Sequence, residues 1–121
     1  MSSLALAHVG DAVYELLVRL YLCAAGRETA PGMHSAAVAL VNAGAQARGA
    51  ARILPELTEE ELAVYRRGRN AKVHSVPKNA ELGDYHAATG LEALFGYLYL
   101  KERTGRLNQL FGRILEGEHA A

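Results

Sequence analysis

The sequence predicts an all-α fold, on three observations. Apolar residues recur at helical spacing along almost the whole chain, no stretch alternates with period two and β-branched enrichment, and capping residues punctuate the pattern at helix-length intervals. About five main helices fit into the 121 residues, which suffice for one compact domain, 1–121, and are too few for two conventional ones. Half the residues are apolar and 21% are charged, a composition that builds a core and excludes intrinsic disorder.

The first helix starts after Ser2 or Ser3, either of which can cap it. It runs to about Ala25, where Gly26 can take the left-handed conformation that ends a helix. Arg27–Gly32, containing Pro31, reads as a loop. A second, alanine-rich helix spans about Met33–Arg52 with Gly44 and Gly49 as weak points, and Pro55 closes that region. Thr58 with Glu61 three residues later is a capping box that starts a third helix reaching about Asn70. A fourth begins between Asn79 and Asp84, passes Glu92 and ends near Arg103–Gly105. The fifth, Arg106–Glu116, is amphipathic through Leu107, Leu110, Phe111, Ile114 and Leu115.

Several function classes drop out at once. Cys23 is the sole cysteine, so no internal disulfide and no thiolate cage for zinc or an iron–sulfur cluster can form, and a reducing cytoplasm is the expected compartment. The apolar opening Leu4–Ala25 is interrupted by His8, Asp11, Glu15 and Arg19, and Ala93–Leu100 is far shorter than the roughly 20 residues a membrane span needs. A soluble, untargeted protein with no membrane partner is expected. Nucleophile-elbow, phosphate-loop, dinucleotide-fold and C-x-x-C motifs are all missing. The five histidines form no H-x-x-x-H pair, and each reads as a surface or internally satisfied residue. Tyr14, Tyr85, Tyr97 and Tyr99 read mostly as core packing.

The charges sum to zero, thirteen against thirteen, yet they are segregated. Glu56–Glu61 holds four carboxylates and no base; Arg66–Lys78 holds Arg66, Arg67, Arg69, Lys72 and Lys78 and no acid. Such a run is commonly a solvated face. Gly68, Asn70 and Pro77 among the bases favour a shaped loop that offers backbone N–H groups as well as cations to an anion.

Acids also sit inside apolar helices. His8, Asp11, Glu15 and Arg19 recur at steps of three, four and four and share one helical face; Glu15 and Arg19 can pair across a turn. Gly10 before Asp11 marks a level where another backbone or a ligand comes close. Glu92 lies in the most hydrophobic helix, with Gly96 one turn later on the same face. If the two glycine-marked helices cross, Asp11 and Glu92 meet, and two carboxylates that close need a shared proton or a hard cation such as Mg²⁺ or Mn²⁺. Spacing alone equally admits two unrelated, partly buried acids.

The blocks HVGDAVYE (His8–Glu15), HSAAVALVNAGAQA (His34–Ala47), RRGRNAKVHSVPKN (Arg66–Asn79) and TGLEALFGYLYL (Thr89–Leu100) stand in an order that resembles the ribonuclease III catalytic-domain family. The resemblance is nearest to its small Mini-ribonuclease III branch, which lacks an appended double-stranded-RNA-binding domain. It runs from about Leu4 to Leu115. It implies a ribonuclease III-like helical bundle, a homodimer, and Mg²⁺-dependent cleavage of double-stranded RNA with 5′-phosphate and 3′-hydroxyl products, Mn²⁺ being a substitute ion. In the Mini branch the implied substrate is a paired stem of precursor large-subunit ribosomal RNA. Asp11 and Glu92 match the acids of the two family signatures, which are catalytic and metal-site residues there. The RNA-binding candidates are Arg66, Arg67, Arg69, Asn70, Lys72 and Lys78.

Two of the larger family's four acids are missing: Ala7 and Thr89 occupy their positions. Glu15, one turn beyond Asp11, is the candidate substitute at the outer edge of the metal site. The departures also admit a competing reading, a catalytically inactive helical dimer that binds structured RNA or a protein partner.

Overall fold

A computed structural model describes residues 1–26, 30–72 and 81–119. These residues form six helices: α1 Ser3–Ala24, α2 Ala30–Leu40, α3 Ala43–Ile53, α4 Glu59–Arg69, α5 Leu82–Leu100 and α6 Thr104–His119, with a 3₁₀ turn over Leu54–Glu56. There is no strand among the described residues, so the all-α expectation holds.

Local chemistry sets most boundaries where the sequence puts them. The Ser2 side chain caps α1 by accepting from the amide of Ala5 at 3.1 Å, and Gly26 beyond its end has φ 81°. Thr58 and Glu61 complete the capping box of α4: the Thr58 amide donates to Glu61 Oε1 at 2.9 Å, and the Glu61 amide donates to Thr58 Oγ1 at 3.1 Å.

The alanine-rich region departs from expectation. It is two helices, broken at Val41 and Asn42 and not at either glycine. Asn42 serves both ends: its Nδ2 donates to the carbonyls of Val38 and Ala39 at the close of α2, and its Oδ1 accepts from the Ala45 amide at the start of α3. Gly49 is buried against Ile114 of α6, a contact that a side chain would obstruct, so it is a packing position. Pro31 is the second residue of α2, where a missing N–H costs nothing, and does not lie in a loop. Helix α5 stops at Leu100, earlier than expected, because Glu102 takes a left-handed φ of 59°; α6 runs on to His119. Lys78, His74 and Pro77 lie outside the described residues.

Helix α5 is the axis of the bundle and packs on α1, α3, α4 and α6, most extensively on α1. It is apolar nearly all round, as a helix enclosed by others must be. Leu91, Leu94, Phe95 and Leu98 are fully buried with Val18, Ile53 and Leu110, and the Tyr14 ring lies tilted 5.2 Å from Phe95 and edge-on to Phe111 at 5.6 Å. Two helix crossings are close enough to need glycine on both sides. One is Gly10 of α1 against Gly96 of α5; the other is Gly68 of α4 against Gly90 of α5.

The acidic segment finds its bases in α6 and just before it. Arg106 forks onto buried Glu61 at 2.7 and 2.8 Å and onto the Glu56 carbonyl at 2.8 Å; Arg113 reaches Glu56 at 2.9 Å, and Arg103 pairs with Glu60. The Arg106 guanidinium holds the Glu61 carboxyl below its ordinary range.

Candidate active site

The α1–α5 crossing builds the site. A Cβ placed on Gly10 would lie 1.6 Å from the Glu92 carbonyl oxygen, and one on Gly96 would lie 2.1 Å from the Leu6 carbonyl oxygen. Only bare backbone lets the helices come this close, and the residues next to the contact are Asp11 and Glu92. Asp11 is exposed and Glu92 is mostly buried.

The two carboxyl groups sense each other. Burial, followed by the negative charge of Asp11 and a hydrogen bond with its side chain, pushes the Glu92 carboxyl up from 4.5 to about 7. Working against this, Gln46 of α3 donates from Nε2 to Glu92 Oε2 at 3.3 Å. Gln46 is 4% exposed, so its carboxamide has little other business than this acid. The sequence reading missed it. No local signal marked it: it is one amide in a helix that also carries Arg48 and Arg52.

Other candidates fall elsewhere. Glu15 pairs with Arg19 at 3.0 Å and borders a groove of about 400 Å³ between α1 and α2, so its carboxylate is engaged away from the acid pair. Thr89 is buried and its hydroxyl donates to the Tyr85 carbonyl of its own helix at 2.9 Å. Ala7 is buried and offers no polar atom. Among the described residues no group of three or more His, Cys, Asp or Glu side chains converges on a metal position.

The donor set is therefore two carboxylates with a carboxamide beside them, all hard oxygen and nitrogen chemistry. Such a set fits Mg²⁺, which is commonly held by one or two carboxylates and keeps several of its waters. A shared proton relieves the pair in the protein alone, and a cation between the two acids would relieve it as well.

The helix that carries the cationic residues packs on the same stretch of α5. The Gly68–Gly90 crossing presses the last turn of α4 onto α5 at Thr89–Ala93, the turn that carries Glu92. Arg66, Arg67 and Arg69 occupy that last turn and are exposed, as are Asn70 and Lys72 just after it. Part of their role is to complement the helix C-terminus. Unlike the arginines at α6, they have no ion pair among the described residues. The groups that contact them are Asn70, which accepts from Arg69 Nε at 3.2 Å, and the Tyr65 ring, 5.8 Å from the Arg69 guanidinium.

Comparison with known proteins agrees with this architecture. The ribonuclease III domain family matches residues 4–103. A Mini-ribonuclease 3 of Enterococcus faecalis is 46% identical over 112 residues, covering 91% of this chain and 85% of the relative. One from Brevibacillus brevis is 48% identical over 118 residues, covering 95% and 88%. A crystal structure of a Fusobacterium nucleatum protein superposes with a TM-score of 0.87 at 31% identity, over 98% of this chain and 94% of the other. Ribonuclease III enzymes are endoribonucleases that generally depend on divalent metal, and no described helix is long and apolar enough to cross a membrane. With its signature helices crossing at paired glycines and its relatives matching over most of their length, the chain belongs to the ribonuclease III family of endoribonucleases, in the Mini-ribonuclease 3 branch.

Proposed function

We propose that the protein is a Mg²⁺-dependent nuclease of double-stranded RNA that works in the cytoplasm on paired stems of precursor large-subunit ribosomal RNA, leaving 5′-phosphate and 3′-hydroxyl ends. The observation that carries this reading is the meeting of Asp11 and Glu92 at a crossing made by Gly10 and Gly96. Asp11 and Glu92 are the catalytic pair and would hold the ion, with Mn²⁺ as a substitute, while Gln46 fixes the orientation of Glu92. A bound divalent ion supplies an activated water and neutralises charge developing on the phosphate. Glu15 takes at most an outer part, through its place one turn from Asp11.

Duplex RNA is held largely through phosphates and 2′-hydroxyls, so an array of cations positions it with little sequence readout. Arg66, Arg67, Arg69, Asn70 and Lys72 supply that array beside the turn bearing Glu92, and Lys78 extends it along the chain. With one acid pair per subunit, cutting both strands requires a homodimer of these single domains. Val38, which lines the α1–α2 groove, and Leu16 and Leu20 of α1 are each about half exposed and support a face covered by protein.

The deciding experiment incubates a labelled RNA duplex with wild type and with Asp11→Asn, in Mg²⁺ and in chelator. Cleavage by wild type in Mg²⁺ only, with a folded variant that still binds duplex but cuts at least ~10²-fold more slowly, is the expected result. No cleavage by wild type would overturn the proposal in favour of an RNA-binding dimer that does not cut.

A further inference from the structure

One buried polar side-chain atom among the described residues has no hydrogen-bond partner: Nδ1 of His86, in the second turn of α5. The ring leans edge-on against Tyr85 at 6.3 Å and borders a shallow opening of about 360 Å³, shared with Arg69, Asn70 and Gly83. A proton on Nδ1 would be a buried donor without an acceptor, which is costly, so the neutral imidazole carries its proton on Nε2. With the proton there, His86 has an N–H donor to offer at Nε2.

Its neighbours are donors as well. Asn70 Oδ1 accepts from Arg69 Nε at 3.2 Å, which turns that oxygen towards the guanidinium and leaves Nδ2 and the rest of the guanidinium to donate. Gly83 contributes no side chain, and the space where its Cβ would stand is empty for 4 Å. Of the nearby acids, Asp84 is directed to α3, its Oδ2 3.7 Å from where a Cβ on Gly44 would lie, and Glu81, the exposed N-cap residue of α5, does not line the opening. An opening walled by a guanidinium, a carboxamide N–H and an imidazole N–H selects an anion with several oxygens.

We propose that His86 Nε2, Arg69 and Asn70 form a subsite for a backbone phosphate of the RNA duplex. His86 stands six residues before Glu92 on α5, about 9 Å of rise at ~1.5 Å each and about 120° away around the helix, so the phosphate it would hold is a different one from the phosphate at the acid pair. This rests on the duplex-nuclease reading for the identity of the ligand and adds a binding residue that the cationic run does not contain.

The test measures binding of a short labelled RNA duplex to the full protein in chelator, across a salt series, for wild type, His86→Phe, His86→Gln and Arg69→Ala. His86→Phe keeps a ring and removes the donor; His86→Gln restores an N–H near the position of Nε2. Affinity should fall about tenfold in His86→Phe, the effect of one hydrogen bond to a charged group, and return to within about twofold of wild type in His86→Gln. A neutral donor releases no counterion, so the salt slope of His86→Phe should match wild type while that of Arg69→Ala flattens by about one. Wild-type affinity in His86→Phe, or equal losses in the Phe and Gln variants, overturns the subsite. If His86→Phe does not fold, full affinity in Asn70→Ala, at an exposed position, overturns it instead. Failure of wild type to bind or cut duplex overturns the nuclease reading, whereas wild-type binding and cleavage with an indifferent His86→Phe overturns the subsite alone.

Discussion

Metal-free protein should lose stability as pH rises from 4.5 towards 7, and Glu92 is the reason. Burial and the Asp11 charge raise its carboxyl to about 7 in the folded state from 4.5 when unperturbed. Below pH 4.5 both folded and unfolded chains carry the proton and the group makes no difference. Between 4.5 and 7 the unfolded chain releases the proton first, so each step up in pH favours unfolding; above 7 the full cost is in place. A shift of that size, at about 1.4 kcal/mol per unit, amounts to roughly 3 kcal/mol, or on the order of 10 °C in melting temperature for a domain of this length. The assay is thermal melting of wild type and Glu92→Gln in chelator from pH 5 to 8.5. Taking the difference between the two proteins cancels other groups, including Glu60 and Glu61, whose lowered values act below pH 4.5. Glu92→Gln should be nearly equal to wild type at pH 5 and clearly more stable at pH 8, and millimolar Mg²⁺ should recover most of the wild-type loss. A difference that does not grow with pH would refute the claim that the two acids are held together at the expense of the fold.

Three further outcomes follow from the same contacts. Gly10→Ala forces α1 off α5 and should cost about 3 kcal/mol in urea unfolding, with loss of cleavage, whereas Gly112→Ala, which meets nothing within 4 Å on α6, should be neutral or stabilising by up to about 1 kcal/mol. Arg106→Ala strands Glu61, which is 3% exposed, and should cost about 3 kcal/mol, while Arg106→Lys should recover little because it cannot fork onto both carboxyl oxygens. Gln46→Leu removes the donor that lowers Glu92, so the acidic limb of the cleavage–pH profile should move up by roughly one unit, read at saturating duplex; an unmoved limb would deny Gln46 its role.

How far the sequence could be read depended on whether a feature was local. Ser2, Thr58 with Glu61, and Gly26 act within a few residues of themselves, and the boundaries they mark stand in the structure. The convergence of Asp11 with Glu92 is long-range, yet it left a local trace, because a crossing that close needs Gly10 and Gly96. Asn42 left a fainter one: the apolar period continues across it, and only its side chain, bonded in both directions, splits the helix. Gln46 and the arginines at α6 left none. Gln46 meets Glu92 across 46 positions, and Arg106 meets Glu61 across 45, distances over which a neutral amide or a surface-type cation looks like any other. For the same reason the Glu56–Glu61 cluster looked uncompensated, when Arg103, Arg106 and Arg113 compensate it in space.

The geometry argues for function without any relative to compare. A helix enclosed on all sides gains most from apolar residues, and α5 has them at Leu91, Leu94, Phe95 and Leu98, each worth about 2 kcal/mol of burial. At Glu92 it carries instead a carboxyl group that resists ionising, faced by a second acid on α1, and both helices have given up side chains at Gly10 and Gly96 to bring the two closer. Each choice lowers stability, and the surrounding core is large enough to carry the sum of them. All three serve the proposed metal site, which needs two carboxyl groups brought together for a doubly positive ion. Helix α4, whose last turn carries the arginines, packs on the same turn of α5, so the proposed ion site and the proposed phosphate-binding surface share one turn of that helix.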